Sequence, residues 1–210
     1  MKIIQKVFFL LVVIIYPNFS FAQNSALDNK ELNKQVLEEI ESYLNGVKNL
    51  SADFVQKSQD SSIIKGKFYL SRPGKMRVEY NSSNSLRALV IVNNSVLSYH
   101  DLDLDEISNL STNSTPASLL TRKNISFDAK DVKVTSIGKN AEYCWVSVVK
   151  KNRPEAGEFK IIFKNNPLNF VKMEVKNDFG EIVYITLENI KFPENIDNEL
   201  FVVKNKNLPF

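Results

Sequence analysis

Apolar positions along the chain recur with two different periods. Between residues 31 and 47, Leu32, Val36, Ile40, Tyr43, Leu44 and Val47 return every three or four residues. Glu31, Lys34, Glu38, Glu39 and Glu41 mostly fill the other positions. That spacing predicts an amphipathic helix, with Asn45-Gly46 as its stop. From residue 50 onward the period drops to two. Leu50, Ala52 and Phe54 alternate with Ser51 and Asp53, and Phe68 and Leu70 precede Met76, Val78 and Tyr80 across a Pro-Gly turn. Further alternating or β-branched runs follow at 88–92, 96–99, 105–110, 132–137, 143–149, 159–163, 171–175 and 182–190. Asn, Gly, Asp and Pro clusters punctuate them, so the pattern predicts about eleven strands joined by tight turns. A second, shorter helix is predicted in "NSTPASLLTRK": Ser114 or Thr115 can cap it, Pro116 suits its first position, and Leu119-Leu120 form an apolar tip.

The βαβ rhythm of a parallel sheet is missing. The expected class is therefore mainly β with helices (α+β), an up-and-down antiparallel sheet curved or nearly closed into a barrel. A curled sheet has a concave face that must be covered. The two predicted helices are the available covers, either as ordinary core or as a lid over a cavity. One residue stands out against the pattern. Gly66, Phe68, Leu70, Met76, Val78 and Tyr80 share one phase of the first hairpin, and Arg72 shares it too.

The first residues bear on compartment. Lys2 and Lys6 flank the start of an apolar run from Val7 to Tyr16, Pro17 breaks it, and Ser20-Phe21-Ala22 offers small residues at a cleavage site. This is the pattern of a secretory signal over 1–22, and the run is too short for the ~20 residues a membrane span needs. The remainder, 23–210, reads as one domain. The formal charge of +3 includes the two leader lysines, so the exported part is nearly neutral. With no basic block interleaved with aromatics, nucleic acid is not an expected partner.

Catalytic and metal chemistry find little support. Cys144 is the only cysteine and His100 the only histidine, which leaves no internal disulfide and no multi-histidine metal set. Asp101, Asp103 and Asp105 have calcium-loop spacing, but Glu106 stands where glycine is needed and Thr112 where glutamate is needed. The pairs Ser62/Lys65 and Ser136/Lys139 match Ser-x-x-Lys without its companion motifs, and no nucleophile elbow, P-loop or dinucleotide glycine pattern occurs. The expectation is a protein without a cofactor that is not an enzyme; His100 with Asp101 is the one residual hydrolase candidate.

The order of elements and three motifs carry a resemblance. "VKNLSADFVQK" (47–57), "KFYLSRPGKMRVEY" (67–80), "VIVNNSVLSYHDLDLDEI" (90–107) and "TPASLL" (115–120) follow one another as in the periplasmic outer-membrane lipoprotein carriers, the LolA family. The specific parts are Phe54 and Gln56 of "DFVQ", the "RPGKMR" turn, and Tyr99 with Asp101. The resemblance implies an incomplete β-barrel with an α-helical lid over a hydrophobic cavity. It implies a chaperone that takes acylated lipoproteins from an inner-membrane ABC transporter and hands them to an outer-membrane acceptor lipoprotein, and the chain is expected to act as a monomer. It further implies that Arg72 latches the lid by donating to backbone carbonyls of the lid helices. On that reading Phe54, Phe68, Leu70, Met76 and Val78 line the cavity, Leu119 and Leu120 plug it, and Val36, Leu37 and Ile40 belong to the lid helix. The acceptor itself has the same fold but needs a cysteine at the cleavage site, where this chain has Ala22-Gln23. The alternative is an exported binder of free lipid or another hydrophobic ligand.

Overall fold

The computed structural model describes residues 22–82 and 85–203. Helix α1 (Ala22–Gly46) is followed by strands β1 (Asn49–Ser58), β2 (Ile63–Ser71), β3 (Lys75–Ser82), β4 (Ser85–Asn93), β5 (Val96–Asp101) and β6 (Glu106–Ser111). Two 3-10 helices, η1 (Thr112–Ser114) and η2 (Pro116–Thr121), lead to β7 (Val132–Lys139), β8 (Tyr143–Lys150), β9 (Arg153–Lys164), β10 (Asn169–Lys176) and β11 (Ile182–Lys191), and η3 (Asn198–Phe201) comes last. Residues 1–21 of the expected leader lie outside the described residues.

All eleven strands form one antiparallel sheet, in the order β6-β5-β4-β3-β2-β1-β11-β10-β9-β8-β7. The predicted meander is thus present, with one long-range closure: β1 pairs with β11. The barrel is incomplete because β6 and β7 are the two edges and do not pair. Leu97 on β5 and Phe159 on β9 line the same small cavity although seven strand positions separate them. In a flat sheet they would be about 33 Å apart, so the sheet must be strongly curled. The inward phase is even-numbered in β1–β4 (Phe54, Phe68, Met76, Val92) and odd-numbered in β5 and β9–β11 (Leu97, Phe159, Met173, Ile185). Alternation alone leaves that choice open for the later strands.

Because consecutive strands β6 and β7 sit on opposite edges, the chain between them has to travel round the rim of the curl. Its path can be followed bond by bond. Thr112 N donates to Ser95 O in the β4–β5 turn, Gly74 N in the β2–β3 turn donates to Thr121 O, and Asn45 at the end of α1 pairs with Ile125. The segment 112–131 therefore closes one end of the sheet as a direct result of strand order.

Two expectations need correction here. The Pro116 segment is a 3-10 helix and not an α-helix; six residues capped by the Thr115 side chain are too few to gain from α-helical propagation. Leu32, counted on the apolar face of α1, is 42 % exposed. The rest of that face is buried, with Val36 and Ile40 fully so, and it packs against β7 and β8. A feature without any sequence expectation is η3. Its Phe201 is 1 % exposed, and η3 packs on β3 and β4, where Arg77 donates to Leu200 O and Asn93 to Phe201 O.

Candidate functional site

Arg72 opens the turn between β2 and β3, just beyond the strand whose phase it continues. All five of its side-chain N–H donors are used. Nε donates to Arg122 O (2.7 Å), Nη2 to Lys123 O (3.1 Å) and Asn45 Oδ1 (3.2 Å), and Nη1 to Val47 O (3.1 Å) and Leu44 O. Its backbone N–H donates to Lys48 O at 2.8 Å. The carbonyls at the end of a helix lack intrahelical partners and carry partial negative charge, so a planar cation is a fitting cap for them. Burial pulls the guanidinium below its ordinary pKa. The neighbouring Gly74 has φ +81, and a Cβ there would stand 2.7 Å from Asn94 Oδ1. The turn is thereby held in a shape that presents Arg72 to the end of α1 and to the end of η2 together.

Residues that sequence reasoning passed over bind those two ends to each other. Asn45 Nδ2 donates to Ile125 O (2.9 Å) while Asn45 Oδ1 accepts from Ile125 N (2.8 Å), and Glu41 Oε1 accepts from Phe127 N. Asn45 carries a signal in the sequence, but one that reads as a helix stop. Further on, Asp131 accepts from Arg122 Nη2 and from Lys150 Nζ (3.1 Å), and its carbonyl accepts from Lys151 N (2.9 Å). Burial alone would raise the Asp131 carboxyl, but the bonds and charges of Arg122 and Lys150 outweigh it and hold it below the usual value.

Under η2 lies an apolar cavity of about 230 Å³. Phe54, Phe68, Met76, Val78 and Leu120 line it, together with Tyr80, Val90, Val92 and Leu97 from the neighbouring strands. Phe159, Met173, Val175 and Ile185 close the far wall, and Thr112, Thr115, Ala117 and Ser118 the roof. Other expected members lie elsewhere. Leu119 is buried but does not line the cavity, whereas Leu120 does. Leu70 is also buried in the core and not in the lining. It lies two residues from Arg72, where the ends of α1 and η2 are drawn onto the sheet. Val36 and Ile40 are core residues over β7 and β8, with Leu37 partly buried beside them, so α1 does not roof this cavity.

The acidic run at 101–105 has a structural account. Asp101 Oδ1 accepts from the backbone N–H groups of Asp103 and Leu104 in the β5–β6 turn, and Asp103 pairs with Arg87 (2.7 Å). His100 is 3 % exposed, with Asp105 at 3.3 Å and Asp101 turned away to the turn backbone. The His100–Asp101 pairing considered from sequence is not assembled. Cys144 is buried, and its burial raises the thiol pKa. Among the described residues no group of three or more potential ligands is placed to hold a metal ion, and no helix is long and apolar enough to cross a membrane.

A single curled sheet whose edges stay apart, with its apolar hollow closed by the segment joining those edges, defines a class of unclosed barrel. The chain belongs to the LolA family, described as outer membrane lipoprotein carrier protein LolA, whose model matches residues 45–204. It is 27 % identical over 172 residues to an outer-membrane lipoprotein carrier protein of Methylococcus capsulatus, covering 77 % of this chain and 80 % of that one. It is 25 % identical over 201 residues to an uncharacterized protein of Rickettsia prowazekii, covering 96 % of this chain and 88 % of that one. Among solved structures, an uncharacterized conserved protein from Thermus thermophilus aligns with TM-score 0.48 and 8 % identity, over 82 % of this chain and 94 % of that one.

Proposed function

We propose that this protein is a periplasmic carrier of acylated lipoproteins. It encloses their acyl tails after an inner-membrane ABC transporter releases them and yields them to an outer-membrane acceptor lipoprotein. The observation that carries the reading is an apolar cavity whose roof is tied to the sheet chiefly through one side chain, Arg72. Membership of the family supports it, as does the likeness to the Methylococcus carrier protein. The leader pattern at 1–22 supports the compartment.

The energetics give the latch its purpose. Each methylene withdrawn from water is worth about 0.8 kcal/mol, so the tails of an acylated protein represent tens of kcal/mol. A carrier that buried them completely would not give them up. Each charge-assisted hydrogen bond contributes about 1.5–3 kcal/mol, so the five that Arg72 makes keep the roof closed when empty and are still outweighed by the tens of kcal/mol of an entering tail. Phe54, Phe68, Met76, Val78 and Leu120 act as the tail-binding wall. Leu70, Leu119, Val36, Leu37 and Ile40 act indirectly, by holding the scaffold on which the roof is hinged.

The test is incubation of the purified protein with inner-membrane spheroplasts. The expected result is lipoprotein leaving the membrane in a soluble one-to-one complex, and Arg72→Leu retaining its cargo when offered acceptor. Absence of any released complex, with the transporter shown to be active, rejects the carrier reading. The second reading, a binder of free lipid, is favoured by the modest size of the cavity, about 230 Å³. It predicts that the protein isolated from cells lacking the acceptor holds a small lipid and no lipoprotein.

A further inference from the structure

We infer that a hydrocarbon tail entering the roofed cavity continues past Phe54 and Tyr80 into a second, larger groove formed by β1–β5. The inference rests on the acyl-binding reading above and adds to it where the rest of the tail goes. Capacity raises the question. An apolar cavity of about 150 Å³ holds one benzene, so 230 Å³ holds about nine carbons. That is a fraction of one long acyl chain.

A groove of about 1350 Å³ adjoins the cavity and shares Phe54, Tyr80 and Val90 with it. The Phe54 and Tyr80 rings meet edge to face at 5.6 Å between centroids and form the common wall. Gly66, in the row between them, makes this wall possible. A Cβ on Gly66 would lie 2.7 Å from two atoms of the Phe54 ring, so no other residue lets the ring lie there. Passage from the cavity to the groove requires these two rings to turn aside.

What lines the groove argues for a neutral, apolar occupant. Ile63, Leu86 and Tyr99 expose 62 %, 36 % and 40 % of their surface beside it. Its charged residues cancel, Lys65, Lys67 and Arg87 against Asp53, Glu79 and Glu188. Three of them are committed elsewhere: Arg87 to Asp103, Glu79 to Arg77 and Asp53 to Asn189. The charged set as a whole is balanced, and three apolar side chains offer a methylene chain an apolar surface next to its own cavity.

The test measures saturated fatty acids of increasing length, from about eight to about sixteen carbons, by displacement of an environment-sensitive naphthylamine dye. For the unaltered protein, affinity is expected to keep rising beyond about ten carbons, by roughly twofold or more for each added methylene. In Ile63→Lys/Leu86→Lys, the gain should stop near ten carbons while the shorter acids bind as before; both positions are exposed, so folding is spared. Leu104→Lys, 68 % exposed and outside the groove, is the control and should follow the unaltered protein. The inference is overturned if the unaltered protein gains nothing beyond ten carbons, or if the double variant keeps the full length dependence. Failure of the underlying reading looks different, since then neither the dye nor the short acids bind at all.

Discussion

Two regions of the curled sheet are roofed in different ways, and only one of them is full. Over β7 and β8 lies α1, whose Val36, Ile40 and Leu44 meet a wall of Cys144, Val146, Ile161, Phe163 and Phe170, each at most 3 % exposed. Tyr43 stands edge-on to Phe163 at 5.4 Å, its hydroxyl donates to Asn169 Oδ1 (3.0 Å), and Phe163 lies against Phe170 at 5.5 Å. The other cover is η2, six residues long, which packs on β8 and β9, sends only Leu120 and Ala117 inward as apolar groups, and leaves a cavity between itself, β1–β5 and β9–β11. A long amphipathic helix lays a continuous apolar stripe on a sheet, whereas a short 3-10 turn cannot. The same sheet therefore carries a filled region under α1 and a hollow one under η2, and the difference follows from the length of what covers each.

The comparison is broken most sharply by emptying both regions. Phe163→Ala should cost about 3–5 kcal/mol in urea unfolding, as expected for a large side chain removed from close packing. Val78→Ala, facing a void already present, should cost about 1 kcal/mol or less while altering dye affinity. Equal losses at the two positions would mean that the regions are packed alike. Next comes Arg72→Leu. Amides at the closure, those of Gly74 and Arg122, should exchange tenfold faster or more, with a much smaller change in the exchange of β8–β10. Uniform acceleration across the sheet would make Arg72 a general stabiliser.

A smaller effect is expected for Asn45→Ala. Loss of its two bonds to Ile125 should free that amide by about 1–2 kcal/mol in hydrogen exchange, without loosening Gly74 to the same degree. The smallest is electrostatic. Asp131 has a folded-state pKa below its ordinary 3.8, so its contribution is complete above that value and is lost as pH falls through the lower one. The stability difference between the unaltered protein and Asp131→Asn should be constant from pH 7 to about pH 5 and shrink below about pH 4. A difference that grew on acidification would reverse the assignment.

Most of the sheet is legible in the alternation, because burying one face forces period two, and glycine, asparagine and proline mark the turns. The amphipathic stripe gives α1 from Glu31 to Gly46, but not its first nine residues, Ala22 to Lys30, which lack such a stripe. Arg72 announces itself as a cation in an apolar phase. What escapes the sequence depends on contacts between distant segments. The pairing of Asn45 with Ile125 spans 80 residues, and η3 has no periodicity from which to read it. The separation of Leu120 from Leu119 is set by how the short helix is rotated on the sheet, since either helix type turns neighbours about 100° or more apart. Leu70 shares the phase of Phe68 yet falls outside the cavity, since phase fixes a face but not the depth along it.

The seam between β6 and β7 has a consequence for what such a hollow can hold. In a fully paired barrel, strand number and shear set the girth, and widening it means breaking ladder hydrogen bonds. Here the first and last strands owe each other none, so the curl can relax or tighten as a sprung leaf does, with every existing ladder intact. Interior volume then becomes a property of the guest as well as of the host.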